Sequence, residues 1–178
     1  MGETKDSKNW FVRHVEAEAK KDTMSYSDRV GNVVAVVVII FVALYFVAHQ
    51  MWSTGFFNAK FGSLEIFLFY GVLMYQIVPT ASRALFGRKN LPRLFEIFGS
   101  VLGTMTLVWL FVVFPFEFAY FADVLPSFLR FLLQWISNDI VRAVMVLGIV
   151  AAPVMAIYTA ILYFFVRREL SKPSLKTT

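Results

Sequence analysis

Two glutamates and one glutamine lie inside or beside long apolar runs, where an ionisable or amide side chain is costly. Glu117 stands in the motif Phe-Pro-Phe-Glu-Phe, Glu65 lies at the start of an apolar run, and Gln76 lies within that same run. A charge in the bilayer costs at least ~2.5–3.5 kcal/mol on insertion scales, so such residues usually face a polar partner or a water-filled path. These three residues are therefore the candidates for lining a path for cations or protons. The alternatives are solvation in the first helical turn for Glu65 and a hydrogen bond to another helix for Gln76.

An ion pair is the alternative role for Glu117. Arg130 and Arg142 are expected on the same side of the membrane as Glu117, and either guanidinium would stabilise the charged carboxylate as a structural lock. In the other interpretation Glu117 stays partly protonated and belongs to a proton or cation path. The sequence leaves both interpretations open.

The remaining acidic residues and the histidines carry less information. Asp123 and Asp139 fall near predicted helix ends, where solvation explains a charge, and His49 lacks a neighbouring zinc-ligand motif. The sequence has no P-loop, no dinucleotide-binding glycine signature and no plausible Ser-His-Asp set. We therefore expect no metal site, no cofactor and no enzyme activity.

The composition indicates a membrane protein. Of 178 residues, 58% are hydrophobic and only 16% are charged, whereas soluble domains are about 45–50% apolar and about 25% charged. Four apolar runs reach the length of about 20 residues that a helix needs to cross the hydrocarbon core. The absence of cysteine excludes disulfides and cysteine-ligated metals. The predicted fold is all-α, a bundle of four transmembrane helices.

The predicted elements form one transmembrane domain over residues 30–167. Its helices span about residues 30–52, 63–83, 94–123 and 140–167, and a short interfacial helix at about 126–137 precedes the last one. Residues 1–29 form a tail whose apolar residues recur at helical spacing, which favours an amphipathic surface helix, although a solvated tail is the alternative. Residues 168–178 form the C-terminal tail.

Small residues at a spacing of four predict close packing between helices. One pair lies in the third predicted helix and a ladder lies in the fourth: Gly99 and Gly103, then Gly148, Ala152, Ala156 and Ala160. Small side chains let two helix backbones approach each other in lipid. The pattern is compatible with packing within one bundle and with self-association.

The distribution of basic residues predicts the orientation. Alternate segments between the predicted helices carry 14 and 3 Lys and Arg residues, and the richer set includes both tails. The positive-inside rule then predicts that both termini are cytoplasmic. This distribution also explains the net charge of +5, so no nucleic-acid partner is expected.

Two functions fit these observations. The first is a self-associating channel or transport component that favours cations or protons, because burying Glu117 needs a reason. The alternative is a non-catalytic structural or assembly subunit of a larger membrane complex, because no catalytic set is present and the small-residue ladders favour helix association. The expected partners are the lipid bilayer and either further copies of the chain or other membrane subunits.

Overall fold

The computed structural model describes residues 9–172, and these residues form helices joined by short connections and by two longer loops, 52–62 and 114–137. The α-helices are α1 Trp10–Lys20, α2 Tyr26–Met51, α3 Ser63–Tyr75, α4 Ile77–Phe86, α5 Asn90–Val113 and α6 Asn138–Leu170. Four helical stretches are long and apolar enough to cross a membrane, with α3 and α4 together forming one of them. The prediction of an all-α protein with four such helices is confirmed. Residues 1–8 and 173–178 of the predicted tails lie outside the described residues.

Side-chain caps fix where the helices begin. Ser25 and Asp28 form a capping box at the start of α2, with the Asp28 backbone N–H donating to Ser25 Oγ at 3.2 Å. Asn9 caps α1 and Ser137 caps α6, each with a side-chain oxygen that accepts a backbone N–H of the first turn. Each cap satisfies a backbone donor that the first helical turn leaves unpaired.

The spanning helices pack in chain order. α2 packs on α4, α3 and α4 pack on α5, and α5 packs most extensively on α6. Among the described residues, α2 and α6 share no extensive contact. The helices therefore form a row in which α2 and α6 are the two ends.

The first helix folds back onto the last one. Val15 of α1 is buried, and the Phe11 ring lies edge-on to the Phe165 ring with centroids 5.1 Å apart. The opposite side of α1 carries Arg13 and Lys20, which are exposed. α1 is thus an amphipathic helix whose apolar side is covered by α6.

Polar contacts hold α1 and its following turn to the α4–α5 connection. Arg93, which is buried, donates to Glu18 Oε2 at 2.6 Å and to Asn90 Oδ1 at 3.3 Å. Asp22 Oδ1 accepts from the Asn90 backbone N–H at 2.8 Å. We call this end of the molecule the α1 end; an ion pair between Arg83 and Glu96 lies between α4 and α5.

The second span is broken at Gln76, where the sequence predicts one helix over about 63–83. Gln76 separates α3 from α4, and Pro79 follows three residues later. Proline has no backbone N–H, so the Tyr75 carbonyl four residues before it loses its helical donor. The predicted helix is therefore interrupted about one turn before Pro79.

The third predicted helix is shorter than expected. We predicted helix over about 94–123, but α5 ends at Val113 and Phe114 adopts a left-handed conformation with φ of 42°. Pro115 explains the difference, because a proline disfavours helical backbone in the residue before it. Glu117 consequently lies in a loop and not inside a helix.

The predicted interfacial helix is also shorter. A 3₁₀-helix covers Ser127–Leu132, whereas about 126–137 was predicted. Its Phe128 and Phe131 side chains and the nearby Trp135 are exposed, as expected for aromatic residues at a membrane interface. Together with a second 3₁₀-helix at Phe118–Tyr120, it covers nine of the 24 residues of the loop 114–137.

Several of the small residues lie where helices approach closely. A Cβ added to Gly99 would lie 2.8 Å from Tyr75 Cε1 of α3, and one added to Gly148 would lie 2.8 Å from Leu107 Cδ2 of α5. At Gly103 the nearest atom would be Val72 Cγ1, at 3.8 Å. In α6, Ala156 is buried, while Ala152 and Ala160 are half-buried. Of the two glycines of α5 that face α3, Gly99 has the closer neighbour.

We expect Gly99→Ala to lower the free energy of unfolding by about 1–3 kcal/mol, because overpacking forces neighbours to move. The Tyr75 ring has little freedom to give way, since its hydroxyl donates to the Phe95 carbonyl at 3.0 Å. The measurement is the midpoint of SDS-induced unfolding in mixed micelles. Gly71→Ala is the control, because nothing lies within 4 Å of the added methyl. Equal midpoints for the two variants would contradict this assignment.

Candidate functional site

The predicted site residues divide between two places. Glu65, Glu117, Arg130 and Arg142 lie at or near the end of the molecule where the loops 52–62 and 114–137 meet, which we call the loop end. Gln76 lies midway along the span formed by α3 and α4. Glu117 and Gln76 therefore do not share one site within the chain.

A cluster of aromatic rings holds the two loops together. Phe56 is 0% exposed, and its ring lies with centroids 4.8–5.7 Å from five other phenylalanine rings. We call this set the phenylalanine cap; it consists of Phe46, Phe56, Phe57, Phe116, Phe118 and Phe121. Backbone bonds reinforce it, with the Glu117 N–H donating to the Phe56 carbonyl at 2.7 Å.

His49 fastens α2 to the phenylalanine cap. It is 1% exposed, and its Nδ1 lies 2.6 Å from Thr54 Oγ1 while its Nε2 lies 3.1 Å from the Phe121 carbonyl oxygen. The Tyr45 hydroxyl donates to the same carbonyl. Within residues 9–172 no three potential ligands among His, Cys, Asp and Glu come together to hold a metal ion. The histidine therefore acts as a structural connector between α2 and the two loops.

Glu117 pairs with an amide and not with an arginine. Asn138 at the start of α6 donates from Nδ2 to Glu117 Oε1 at 2.9 Å, and its Oδ1 accepts from the Phe118 backbone N–H at 2.8 Å. Glu117 is half-buried. The asparagine thereby clamps the loop 114–137 to α6, and the carboxylate is one half of that clamp.

The two arginines that we considered as partners of Glu117 are engaged elsewhere. Arg130 forms an ion pair with Asp123 at 3.1 Å and also donates to the carbonyls of Leu125 and Asp123. The Arg142 guanidinium lies over the Phe114 ring, 3.8 Å from its centroid, a cation–π contact. The Glu117 carboxylate therefore contacts Asn138, and it forms an ion pair with neither of these arginines.

Glu65 links α3 to α5. Its Oε2 accepts from the Gly62 backbone N–H at 3.0 Å, and its Oε1 accepts from Trp109 Nε1 at 2.9 Å. The residue is 8% exposed. Oε2 therefore caps the start of α3, where the helix dipole stabilises a negative charge. Oε1 bonds α3 to Trp109 of the neighbouring helix α5.

Gln76 is placed differently from both glutamates. Its side chain is exposed and lies at a groove of about 300 Å³ between α3 and α5. Among residues 9–172, no group forms a hydrogen bond with its side-chain amide. The groove is lined by Phe69, Val72, Leu73, Gln76, Gly103, Thr106, Leu107 and Leu110.

We expect Asn138→Asp to lower the free energy of unfolding by about 2 kcal/mol, because it removes a donor and sets two carboxylates against each other. SDS-induced unfolding of the purified protein measures the change. Asn9→Asp is the matched control, since Asn9 accepts from the Phe11 N–H as an N-cap and aspartate caps equally well. A similar loss in both variants would argue against the clamp.

Comparison of the chain with known protein families, curated proteins and solved structures finds no match.

Proposed function

We propose that this multi-pass membrane protein is a non-catalytic structural or assembly subunit that associates with other membrane-spanning chains. The observation that carries the proposal is that the carboxylates of Glu65 and Glu117 are both bonded within the chain. Glu65 accepts from Trp109 and Gly62, and Glu117 accepts from Asn138. Groups bound in this way serve the fold, which leaves no polar set committed to catalysis at the loop end.

The large apolar surface supports the same role. α2 has 26 residues, of which only Ala43 and His49 are buried, so most of its length is free to meet lipid or another helix. In lipid, helices associate through close packing and interhelical hydrogen bonds, and not through the hydrophobic effect. The proposed partners are the bilayer and other membrane chains, including further copies, with no role for nucleic acid.

A channel or transport component for cations or protons is the second candidate. The observation that favours it is the exposed amide of Gln76 within a span. In this proposal several copies would surround the path, with Gln76 lining it and Glu65 and Glu117 attracting cations near its mouth. The geometry favours it less, because both carboxylates are engaged within the chain.

Two experiments separate the candidates. Gentle extraction from native membranes should recover the protein with other membrane chains, and recovery only as a lone monodisperse species would count against an assembly subunit. Purified protein in liposomes should show no proton or cation leak above that of empty liposomes. A leak that falls in Gln76→Leu and Glu117→Gln but not in Asp139→Asn would instead establish the channel.

The orientation with both termini in the cytoplasm is proposed from the count of basic residues and can be tested directly. Because the chain has no cysteine, one introduced thiol reports one position. Lys20→Cys lies at the α1 end and Lys60→Cys at the loop end, and both lysines are exposed. A membrane-impermeant thiol reagent added to intact cells should label Lys60→Cys and leave Lys20→Cys unlabelled; the reverse pattern would overturn the orientation.

A further inference from the structure

We propose that two copies of this chain pair symmetrically through the groove between α3 and α5, with the Gln76 amide of each copy bonded to that of the other. This inference rests on the proposed assembly role and identifies a partner, a second copy, and the surface that binds it.

The depth of Gln76 is the first argument. It lies 13 residues after Ser63 and 10 residues before Phe86 along one span. At a rise of 1.5 Å per residue these separations are about 20 Å and about 15 Å, and the hydrocarbon core is about 30 Å thick. The side chain is too short to reach either interface, so its amide must find a partner within the membrane.

The lack of a partner within the chain is the second argument. Two other polar groups of the spans are bonded within the chain: the Tyr70 hydroxyl donates to Gln50 at 3.0 Å, and Thr104 donates to the Ser100 carbonyl. In the part of the chain that the structure describes, the Gln76 amide has no such bond. The helix interruption at Gln76 leaves a second polar group without its helical partner. This group is the Tyr75 carbonyl, because Pro79 has no N–H to donate to it.

The chemistry of the groove favours a second copy as the occupant. A primary amide carries both donors and an acceptor, so two amides facing each other across a two-fold axis satisfy each other. A two-fold interface requires such a self-complementary surface. The groove lining contains no charged residue, so two copies meet without repulsion. At Gly103 a neighbouring backbone can approach closely, as small residues allow.

A cysteine reporter in the groove tests the pairing. Leu73→Cys places the single thiol of the chain in the groove lining, and oxidation in native membranes should yield a disulfide-linked dimer. Val150→Cys is the control, because Val150 is exposed on α6, which packs on α5 and not on α3. Comparable cross-linking at the two positions would reflect random collision and would overturn the proposal.

The Gln76→Leu substitution tests the amide itself. We expect the association constant of the dimer, measured by single-molecule fluorescence in bilayers diluted with lipid, to fall about tenfold. Tenfold is about 1.4 kcal/mol, which matches the loss of the two reciprocal hydrogen bonds between the amides. Stability of the monomer in SDS unfolding should stay the same or rise, since the amide makes no bond within the chain. A wild-type protein that remains monomeric, or an unchanged association constant in Gln76→Leu, would refute the pairing.

The outcomes also separate this inference from the assembly role. Other membrane chains recovered on gentle extraction, with no cross-link at Leu73→Cys, would leave the assembly role standing and remove the self-pairing. A lone monomeric species in both experiments would remove both.

Discussion

Replacing Phe56 with alanine is expected to lower the free energy of unfolding by about 3–5 kcal/mol, the largest effect of any single substitution considered. Phe56 is fully buried and lies against every other member of the phenylalanine cap. Its removal leaves a cavity that the surrounding rings cannot fill without moving both loops. SDS-induced unfolding should show a much lower midpoint.

The matched control for this prediction is Phe67→Ala. Phe67 is 73% exposed on α3, so the same substitution there removes few protein contacts. Its midpoint should stay close to that of the unmodified protein. If both variants lost the same stability, burial in the cap would not be the cause.

Replacing Arg93 with methionine is expected to lower the free energy of unfolding by about 3 kcal/mol. This value is near the lower limit for breaking a buried ion pair, because Glu18 keeps partial contact with solvent. The substitution leaves the Glu18 carboxylate without its guanidinium and removes a bond to Asn90. α1 should then detach more readily from the rest of the molecule. A thiol introduced by Val15→Cys lies on the buried side of α1 and should react faster with thiol reagents in the Arg93→Met background.

Two further variants control the Arg93 prediction. Arg88→Met changes an exposed arginine and should leave both stability and thiol reactivity nearly unchanged. Glu18→Met combined with Arg93→Met should recover part of the lost stability, because it removes the unpaired charge. No recovery in the double variant would show that the ion pair is not what holds α1.

The spanning helices were predictable because their signal is local. Runs of apolar residues specify helices in lipid whatever they pack against. Ser25 and Asp28 stand three residues apart, which is the spacing of a capping box, and they form one in the structure. The end of α5 was misjudged for a local reason as well. Pro115 lies inside the predicted helix at about 94–123, and its effect on Phe114 ends α5 there.

The partners of the polar residues could not be predicted in the same way. Trp109 lies 44 residues from Glu65, and Asn138 lies 21 residues from Glu117, so each pair depends on how helices and loops meet. Asn138 lies just before the predicted last helix at about 140–167, and only the geometry joins it to Glu117. Gln76 was recognised as an unusual residue, while its exposure at a groove followed only from the packing of α3 against α5.

The contact between α1 and α6 also constrains the time at which the fold can be completed. Phe11 and Phe165 are separated by 154 positions in the chain and touch in the finished molecule. While the ribosome is still adding the residues between them, the apolar side of α1 has no cover from α6. The segment that becomes α1 therefore reaches its final place only after Phe165 has emerged.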